Sequence, residues 1–232
     1  MCPHLRCYNY HIEKKEDPFM KATLIWSLQP YHDDECIIQE FTLSSGYKTL
    51  SDIRIKGIKA TAEVTGQFEL AGKTYKLDER AGFEPFESNH DKIRLVNFFE
   101  GDKKISEVYT SFDGEIVFHR MVHEYCHIHD REYELFGNDK NVCQIASIYL
   151  GKTQVAEYKY SRRGIRDPHL FEITYTDDES LLASVFFALR YFIVTYFRIR
   201  PDKVYYDVWN PVWYMGNPWK EKYDPDWAAQ HE

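Results

Sequence analysis

The chain of 232 residues carries a formal net charge of −8, and 44% of its residues are hydrophobic. This composition excludes a disordered protein, and the acidic balance argues against a general nucleic-acid binder, which needs a positively charged face. The five cysteines form no dense framework, and the N-terminus has no apolar stretch of the kind found in a secretory signal. One large domain or two small ones in the cytoplasm are therefore expected.

The N-terminal segment shows little pattern. Cys2, His4, Cys7 and His11 are potential zinc ligands, but their close spacing matches no standard zinc finger. An ordinary N-terminal segment is the simpler interpretation.

Residues 20–176 predict a long antiparallel meander of short strands. Segments such as CIIQEFTL, IRIKGIKATAEV and ISEVYTSF are rich in β-branched and aromatic residues, as strands are. Two-residue turn signals separate several of these segments, and each signal predicts a tight hairpin. The signals are Ala71-Gly72, Asp113-Gly114 and Asn138-Asp139.

Residues 177–197 (DDESLLASVFFALRYFIVTYF) predict a helix that is apolar on almost every side. Asp177 or Asp178 can cap its first N–H groups, and Pro201 is expected to end it. Arg198 and Arg200 would then lie at the negative end of the helix dipole. Because its polar residues do not gather on one face, the helix has to be surrounded by protein or by lipid.

Three surroundings fit such a helix. The first is a membrane, although Arg190 near the middle of the apolar run would be costly there. The second is burial between a sheet and other elements, and the third is the inside of a closed β-barrel. In a barrel, Arg190 would pair with an inward-facing strand carboxylate or reach the barrel mouth, because an unpaired buried charge is very unfavourable.

The predicted fold is therefore mainly β: an antiparallel β-barrel or strongly curved sheet around a helix at about residues 177–198. Residues 1–200 form a single domain in this prediction. Residues 201–232 follow as an extension rich in tryptophan and proline, which holds all but one of the five tryptophans. This extension is expected to pack on the domain or on a partner, since exposed tryptophans lower solubility, and packing on a partner would allow a homo-oligomer.

Short antiparallel strands with hairpins such as YELF, GND and VCQI within residues 133–145, followed by a wholly apolar helix, resemble the tubby C-terminal-like fold. LURP-one-related proteins, bacterial tubby-like proteins and phospholipid scramblases share this fold. The resemblance covers roughly residues 40–200 and implies a barrel that wraps around the helix. It also implies binding of a lipid headgroup or a protein, and it implies no catalytic residue. The tryptophan-rich extension departs from the family pattern, in which little follows the helix.

The sequence His123-Glu124-Tyr125-Cys126-His127 has the HExxH pattern of zinc metallopeptidases. On a helix, His123 and His127 would lie one turn apart and hold zinc, and Glu124 would act as the general base for a bound water. This alternative makes the protein a zinc enzyme, and it requires residues 117–129 to be helical.

The same residues also fit a strand, because they lie between two predicted hairpins. On a strand, His119, His123 and His127 share one face, and Glu124 points to the opposite face. The arrangement that activates water is then lost. What remains is either a ladder of histidines that holds adventitious metal or a set of ordinary polar positions. We favour ordinary positions, and therefore no cofactor.

A basic cluster is present in this acidic chain. Its members are Lys152, Lys159, Arg162, Arg163 and Arg166, the last three in a predicted loop. Arginines in such a loop can bind phosphate through paired hydrogen bonds. If the fold is tubby-like, the phosphate of a lipid headgroup would be bound by Lys159, Arg162, Arg163 and Arg166. The alternative is a solvated loop whose charges meet surrounding carboxylates.

The sequence contains no GxSxG motif, no glycine-rich phosphate loop and no CxxC pair, although a nucleophilic role for Cys126 or Cys143 stays open. The leading hypothesis is a non-enzymatic binding or regulatory module for a phosphate-bearing lipid headgroup or a protein partner. Such a module would lie in the cytoplasm or at the periphery of a membrane. The alternatives are the zinc metallopeptidase and a structural protein that assembles through its C-terminal extension.

Overall fold

The computed structural model of the chain describes residues 20–26, 30–61, 63–80, 93–113, 121–140, 143–161, 169–200, 203–206, 224 and 226–229. These residues form fifteen strands and one helix. The elements are β1 (Met20–Trp26), β2 (Tyr31–His32), β3 (Cys36–Ser45), β4 (Lys48–Ile58), β5 (Glu63–Leu70), β6 (Lys73–Arg80), β7 (Ile93–Glu100), β8 (Lys103–Asp113), β9 (Met121–Ile128), β10 (Arg131–Lys140), β11 (Cys143–Leu150), β12 (Thr153–Ser161), β13 (His169–Tyr175), α1 (Asp178–Tyr196), β14 (Phe197–Arg200) and β15 (Lys203–Tyr206).

Twelve of the strands form a closed antiparallel barrel, which confirms the predicted fold class. From β3 to β13 each strand pairs with the next in sequence. Strand β1 closes the ring because it pairs with both β13 and β3, which places Leu24 opposite Phe171 on one side and opposite Leu43 on the other. Closure removes the unpaired edges that an open sheet of these strands would present.

The helix α1 is covered by strands on all sides. Every side chain from residue 180 to residue 193 is buried. Phe186 stacks on Phe98 of β7 with ring centroids 3.8 Å apart, whereas Phe192 contacts Phe41 of β3 at 4.7 Å. Contacts with strands far apart in the ring show that the helix lies inside the barrel. Within the described part of the chain, no helix combines the length and the hydropathy needed to cross a membrane.

The start of the helix agrees with the prediction. Asp177 is the N-cap, and its Oδ1 accepts a hydrogen bond from the backbone N–H of Ser180 at 2.7 Å. The Oγ of Ser180 accepts from the backbone N–H of Asp177 at 3.0 Å, which completes a capping box. Asp178 and Glu179 add negative charge at the positive end of the helix dipole.

The end of the helix differs from the prediction. The helix stops at Tyr196, and the next four residues form β14, which pairs with β15. Pro201 therefore does not end the helix, and Arg198 and Arg200 lie in a strand rather than in its last turn. The helical conformation is disfavoured at Arg200, because a proline follows it. In the extended conformation, the backbone groups of β14 form hydrogen bonds with β15.

The turns between strands correct part of the sequence analysis. The predicted turn at Ala71-Gly72 is confirmed, whereas those at Asp113-Gly114 and Asn138-Asp139 are wrong. Asp113 pairs with Met121, and Asn138 and Asp139 both pair with residues of β11. Residues 53–64 divide between β4 and β5 instead of forming one strand. The strand register is set by the inward-facing apolar side chains more than by local turn signals. A shift of one residue in the pairing of two strands would turn these side chains away from the helix.

The two ends of the barrel are built differently. At the end where α1 begins, which we call the turn end, five two-residue turns join the strands, at residues 46–47, 71–72, 101–102, 129–130 and 151–152. Each has a residue with positive φ, and in four of the five turns a glycine takes that conformation. At the opposite end, which we call the exit end, β6, β8 and β12 terminate. The connections that follow these three strands lie outside the described residues.

We expect replacement of Phe186 by alanine to destabilise the barrel by about 3–5 kcal/mol, because its ring contacts Phe68, Tyr75 and Phe98 in the centre of the core. Urea unfolding measures the change. Phe186→Leu conserves most of the volume and should cost less, and Tyr47→Ala, at a fully exposed turn position, should cost almost nothing. Equal losses for Phe186→Ala and Tyr47→Ala would contradict the enclosed position of the helix.

Candidate functional site

The HExxH residues lie on strand β9 and not on a helix. Glu124, Cys126 and Ile128 are buried, whereas Tyr125 and His127 are partly exposed. Because successive side chains of a strand point to opposite faces, Glu124 points into the barrel and His127 points outward. The helical geometry that the metallopeptidase hypothesis requires is therefore not formed.

Inside the barrel, Glu124 forms an ion pair with Arg190 of the helix. Arg190 Nη1 donates to Glu124 Oε1 at 2.8 Å, and the two side chains are only 2% and 1% exposed. Burial raises the pKa of the Glu124 carboxyl, and the positive charge of Arg190 opposes this rise. The expectation that Arg190 pairs with an inward-facing strand carboxylate is confirmed. The glutamate of the HExxH sequence thus neutralises a buried cation and is separated from His127 by the barrel wall.

On the outer wall, His127 has ordinary strand neighbours. Its Nε2 lies 3.1 Å from Glu132 Oε2 and 3.3 Å from Tyr109 Oη, and its ring stacks on that of Tyr109. In the described part of the chain, no group of three or more His, Cys, Asp or Glu side chains is arranged to hold a metal ion. His119 lies outside the described residues, as does the side chain of His123, so the histidine ladder as a metal site stays a prediction.

Cys126 is enclosed on the inner face of β9. Burial raises the pKa of its thiol to about 12, and its Sγ lies 3.4 Å from the Oγ of Ser106. The thiolate is the nucleophilic form of cysteine, and at neutral pH almost none is present at this pKa. Cys126 is therefore unsuited to the nucleophilic role that the sequence left open. The side chain of Cys143 lies outside the described residues.

The predicted basic cluster is only partly described. Lys159 is 40% exposed, and its Nζ lies 3.7 Å from Glu157 Oε1, so its charge is partly compensated. Lys152 lies at the turn end and Ser161 at the exit end of β12, which separates them by roughly 30 Å. Lys152 therefore lies far from Ser161, the residue that precedes Arg162 in the sequence. Arg162, Arg163 and Arg166 lie outside the described residues.

A few residues of the C-terminal extension are described. Trp227 and Ala228 are buried. Burial raises the pKa of Tyr149 and of Glu157 on the outer wall, and the nearby carboxylate of Asp224 adds to both rises. This short part of the extension therefore lies against strands β11 and β12. Residues 203–206 of the extension form β15, which pairs with β14 of the same chain. The packing of the remainder, on the same chain or on a partner, stays a prediction.

A groove of about 610 Å³ crosses the outer wall of strands β4–β7, and the sequence analysis did not identify it. Two cross-strand rows of side chains form its surface. Arg54, Gln67, Lys76 and Phe99 form the first row, in strand order. Lys56, Thr65 and Asp78 form the second row. Side chains in such rows lie close enough to contact one ligand together.

The charges of the groove are distributed unevenly. Lys76 Nζ lies 3.2 Å from Asp102 Oδ1, and Asp78 accepts a hydrogen bond from Asn97 at 3.1 Å. Arg54 and Lys56 are exposed, and neither forms an ion pair or a side-chain hydrogen bond with any described residue. One end of the groove therefore carries two cations outside any ion pair with a described residue, although Glu40 of β3 is the cross-strand partner of Arg54, and the other end carries acidic groups.

Gly66 lies on the floor of the groove, between the two rows. A Cβ at this position would come within 3.0 Å of Leu77 Cγ and 3.1 Å of the Arg54 carbonyl oxygen, so no other residue fits without a shift. The missing side chain is on the inner face, where its absence lets Leu77 of the core and the backbone of β4 lie close to β5. Glycine inside a strand commonly marks a place where a ligand or another backbone approaches closely.

One signal in the sequence could have suggested the positive end of this groove. In Ile53-Arg54-Ile55-Lys56, apolar and basic residues alternate, which places both cations on the outer face of a strand. The other groove residues come from β5, β6 and β7, and only the register of four strands brings them together.

No protein-family model, curated protein or solved structure matches the chain. The class of protein rests on the structure alone: a closed antiparallel β-barrel with one helix packed in it. The resemblance to the tubby C-terminal-like fold stays a prediction.

A double-mutant cycle tests the buried ion pair. We expect Glu124→Leu and Arg190→Leu each to lower the free energy of unfolding by about 3–5 kcal/mol, because each removes one partner of a buried ion pair. The double variant should lose less than the sum of the two single losses, and less than either one, since no charge is then left unpaired. Urea unfolding measures all four proteins. Additive losses would show that the two side chains do not interact.

The buried thiol allows a chemical test. We expect Cys126 to resist iodoacetamide in the folded protein at pH 8 and to react once urea unfolds the chain, because a pKa of about 12 leaves almost no thiolate. Mass spectrometry of the peptide that contains Cys126 distinguishes it from the other cysteines. Rapid alkylation of this peptide under native conditions would contradict the enclosed position of β9's inner face.

Proposed function

We propose that the protein is a non-enzymatic binding module that recognises a phosphate-bearing ligand in the groove on strands β4–β7. The observation that supports this proposal most is the pair of exposed cations, Arg54 and Lys56, neither of which forms an ion pair or a side-chain hydrogen bond with a described residue. They are two residues apart on β4 and share its outer face. In a chain of net charge −8, such a pair offers an anion a defined place to bind.

The helix fills the interior of the barrel, so a ligand site is expected on the outside. The side chains of α1 occupy the space that a ligand would take in a hollow barrel, and the aromatic rings around Phe186 and Phe192 pack at contact distances. An eight-stranded barrel can already hold a small ligand, so the twelve strands here would enclose a cavity without the helix. With the helix in place, binding has to use the outer wall or the ends.

The chemistry of the positive end suits phosphate. A guanidinium can donate two parallel hydrogen bonds to phosphate oxygens, and an ammonium adds a compact charge beside it. Thr65 and Gln67 lie opposite Lys56 and Arg54 on the next strand and supply further donors. Hydrogen bonds to charged groups contribute about 1.5–3 kcal/mol each, which is enough for a specific site.

The phosphate could belong to a lipid headgroup, as the resemblance to tubby-like proteins implies, or to a soluble molecule. The basic residues Lys159, Arg162, Arg163 and Arg166 are a second candidate for the same chemistry. A headgroup ligand would place the protein at the periphery of a membrane. A protein partner is the remaining possibility, and it would be indicated by the absence of phosphate binding.

We expect Arg54→Ala/Lys56→Ala to weaken binding of inositol trisphosphate and of vesicles containing phosphatidylinositol phosphates by at least about tenfold, because two charge-assisted contacts are lost. Calorimetry measures the soluble ligand, and sedimentation measures the vesicles. Binding should also fall as salt rises. The variant Lys21→Ala/Lys48→Ala removes the same charge from exposed positions far from the groove and should bind as the parent does.

Two results would count against the proposal. Loss of binding in Arg162→Ala/Arg163→Ala, with none in Arg54→Ala/Lys56→Ala, would move the site to the loop after β12. Absence of binding to either probe would exclude an inositol phosphate, free or in a lipid headgroup, as the ligand of either candidate site.

A further inference from the structure

Phe99 supplies an exposed ring at the acidic end of the groove. Its side chain is partly exposed and lines the groove, whereas the preceding Phe98 is fully buried against Phe186. The register of β7 with β8 shifts between Phe98 and Phe99, which marks a β-bulge or a similar irregularity. Bulges often re-aim a side chain next to a functional site. No described residue forms a ring contact with Phe99, so its face is available to a ligand.

The ring of Phe99 and the side chain of Arg54 lie in the same row across the sheet, and Lys56 lies in the neighbouring row. Phe99 pairs with Lys76, Lys76 with Gln67, and Gln67 with Arg54. Three strand spacings of about 4.8 Å separate the backbones of β4 and β7 by roughly 14 Å, and side chains that lean into the groove shorten this distance. A single molecule that reaches from Phe99 to Arg54 is therefore extended, with a planar group at one end and an anionic group at the other.

The acidic groups decide between classes of phosphate ligand. Asp78 and Asp102 lie near the ring end, so a second phosphate there would meet carboxylates. An inositol polyphosphate carries phosphates around its whole ring and would place some of them against these residues. A ligand with all its phosphates at one end and an uncharged ring at the other avoids this repulsion. Carboxylates near the ring end can also accept hydrogen bonds from sugar hydroxyls or from base N–H groups.

We propose that the ligand of the groove is a nucleoside phosphate. The base stacks on Phe99, the sugar lies near Asp78 and Asp102, and the phosphates reach Arg54 and Lys56. A nucleoside diphosphate or triphosphate in extended form has the length that this row requires. Stacking of a base on an aromatic side chain is favourable for every base, so the groove selects the class of ligand more than the particular base. This inference rests on the phosphate-binding function proposed above.

Calorimetry with three soluble probes tests the inference. The soluble probes are guanosine diphosphate, ribose 5-phosphate and inorganic pyrophosphate. A fourth probe, vesicles containing phosphatidylinositol phosphates, is measured by sedimentation. We expect the nucleotide to bind at least tenfold more tightly than the two probes that lack a base. Phe99→Ala should weaken nucleotide binding fivefold or more and leave pyrophosphate binding unchanged, whereas Phe99→Tyr should retain nucleotide binding. Arg54→Ala/Lys56→Ala should weaken both.

The outcomes separate the inference from the function on which it rests. Equal affinity for guanosine diphosphate and pyrophosphate, with no effect of Phe99→Ala, would overturn the nucleotide and keep a phosphate site. Binding of vesicles without binding of nucleotide would overturn it in favour of a lipid headgroup. Failure of all four probes to bind would overturn both proposals. Circular dichroism and thermal unfolding of each variant confirm that it is folded, so a loss of binding reports on the groove.

Discussion

Burial of α1 on every side depends on closure of the barrel, because the helix has no polar face that could be turned to water. An open sheet would cover one side of the helix and leave rings such as Phe186 or Phe192 exposed. The pairing of β1 with both β13 and β3 completes the cover. The closed barrel and the helix therefore stabilise each other. The helix fills a space that twelve strands would otherwise leave hollow, and the strands bury the apolar surface of the helix.

Within this apolar interior, Arg190 and Glu124 form the ion pair that orients the helix. Apolar contacts tolerate small rotations and shifts, whereas a charge buried without its partner is very costly. A position of the helix that separates Arg190 Nη1 from Glu124 Oε1 loses this buried contact between opposite charges. The pair is thus expected to contribute more to the uniqueness of the structure than to its stability. The same pair gives the glutamate of the HExxH sequence a structural role inside the barrel.

A filled barrel leaves its outer wall and its ends for function. On the wall, the groove of β4–β7 brings together the cations Arg54 and Lys56 and the partly exposed ring of Phe99 across four strands. Two-residue turns join the strands at the turn end, whereas the segments that follow β6, β8 and β12 at the exit end are longer. Binding residues are often found on loops that a rigid scaffold holds in place, so the exit end is a second candidate region for binding.

The sequence by itself determined the features that depend on near neighbours. Asp177 and Ser180 are three residues apart and form the cap that begins the helix, and the alternation of Ile53, Arg54, Ile55 and Lys56 follows from the period of a strand. The absence of a polar face on residues 181–197 already required a surrounding structure, and an inward carboxylate for Arg190 was expected from the cost of an unpaired charge. Two local turn signals failed, because the match of inward-facing side chains around the ring outweighs the preference of a few turn residues.

Only the tertiary structure decided the features that depend on register. Glu124 lies 66 residues before Arg190, and no local pattern distinguishes it from the other carboxylates of the strands. The strand conformation of residues 121–128 was undecided because HExxH fits both a helix and a strand. The groove joins Arg54 to Phe99 through three strand pairings, and each pairing had to be known before the row could be recognised. Pairing between distant segments is set by the packing of the whole ring, which is why the sequence alone did not reveal these contacts.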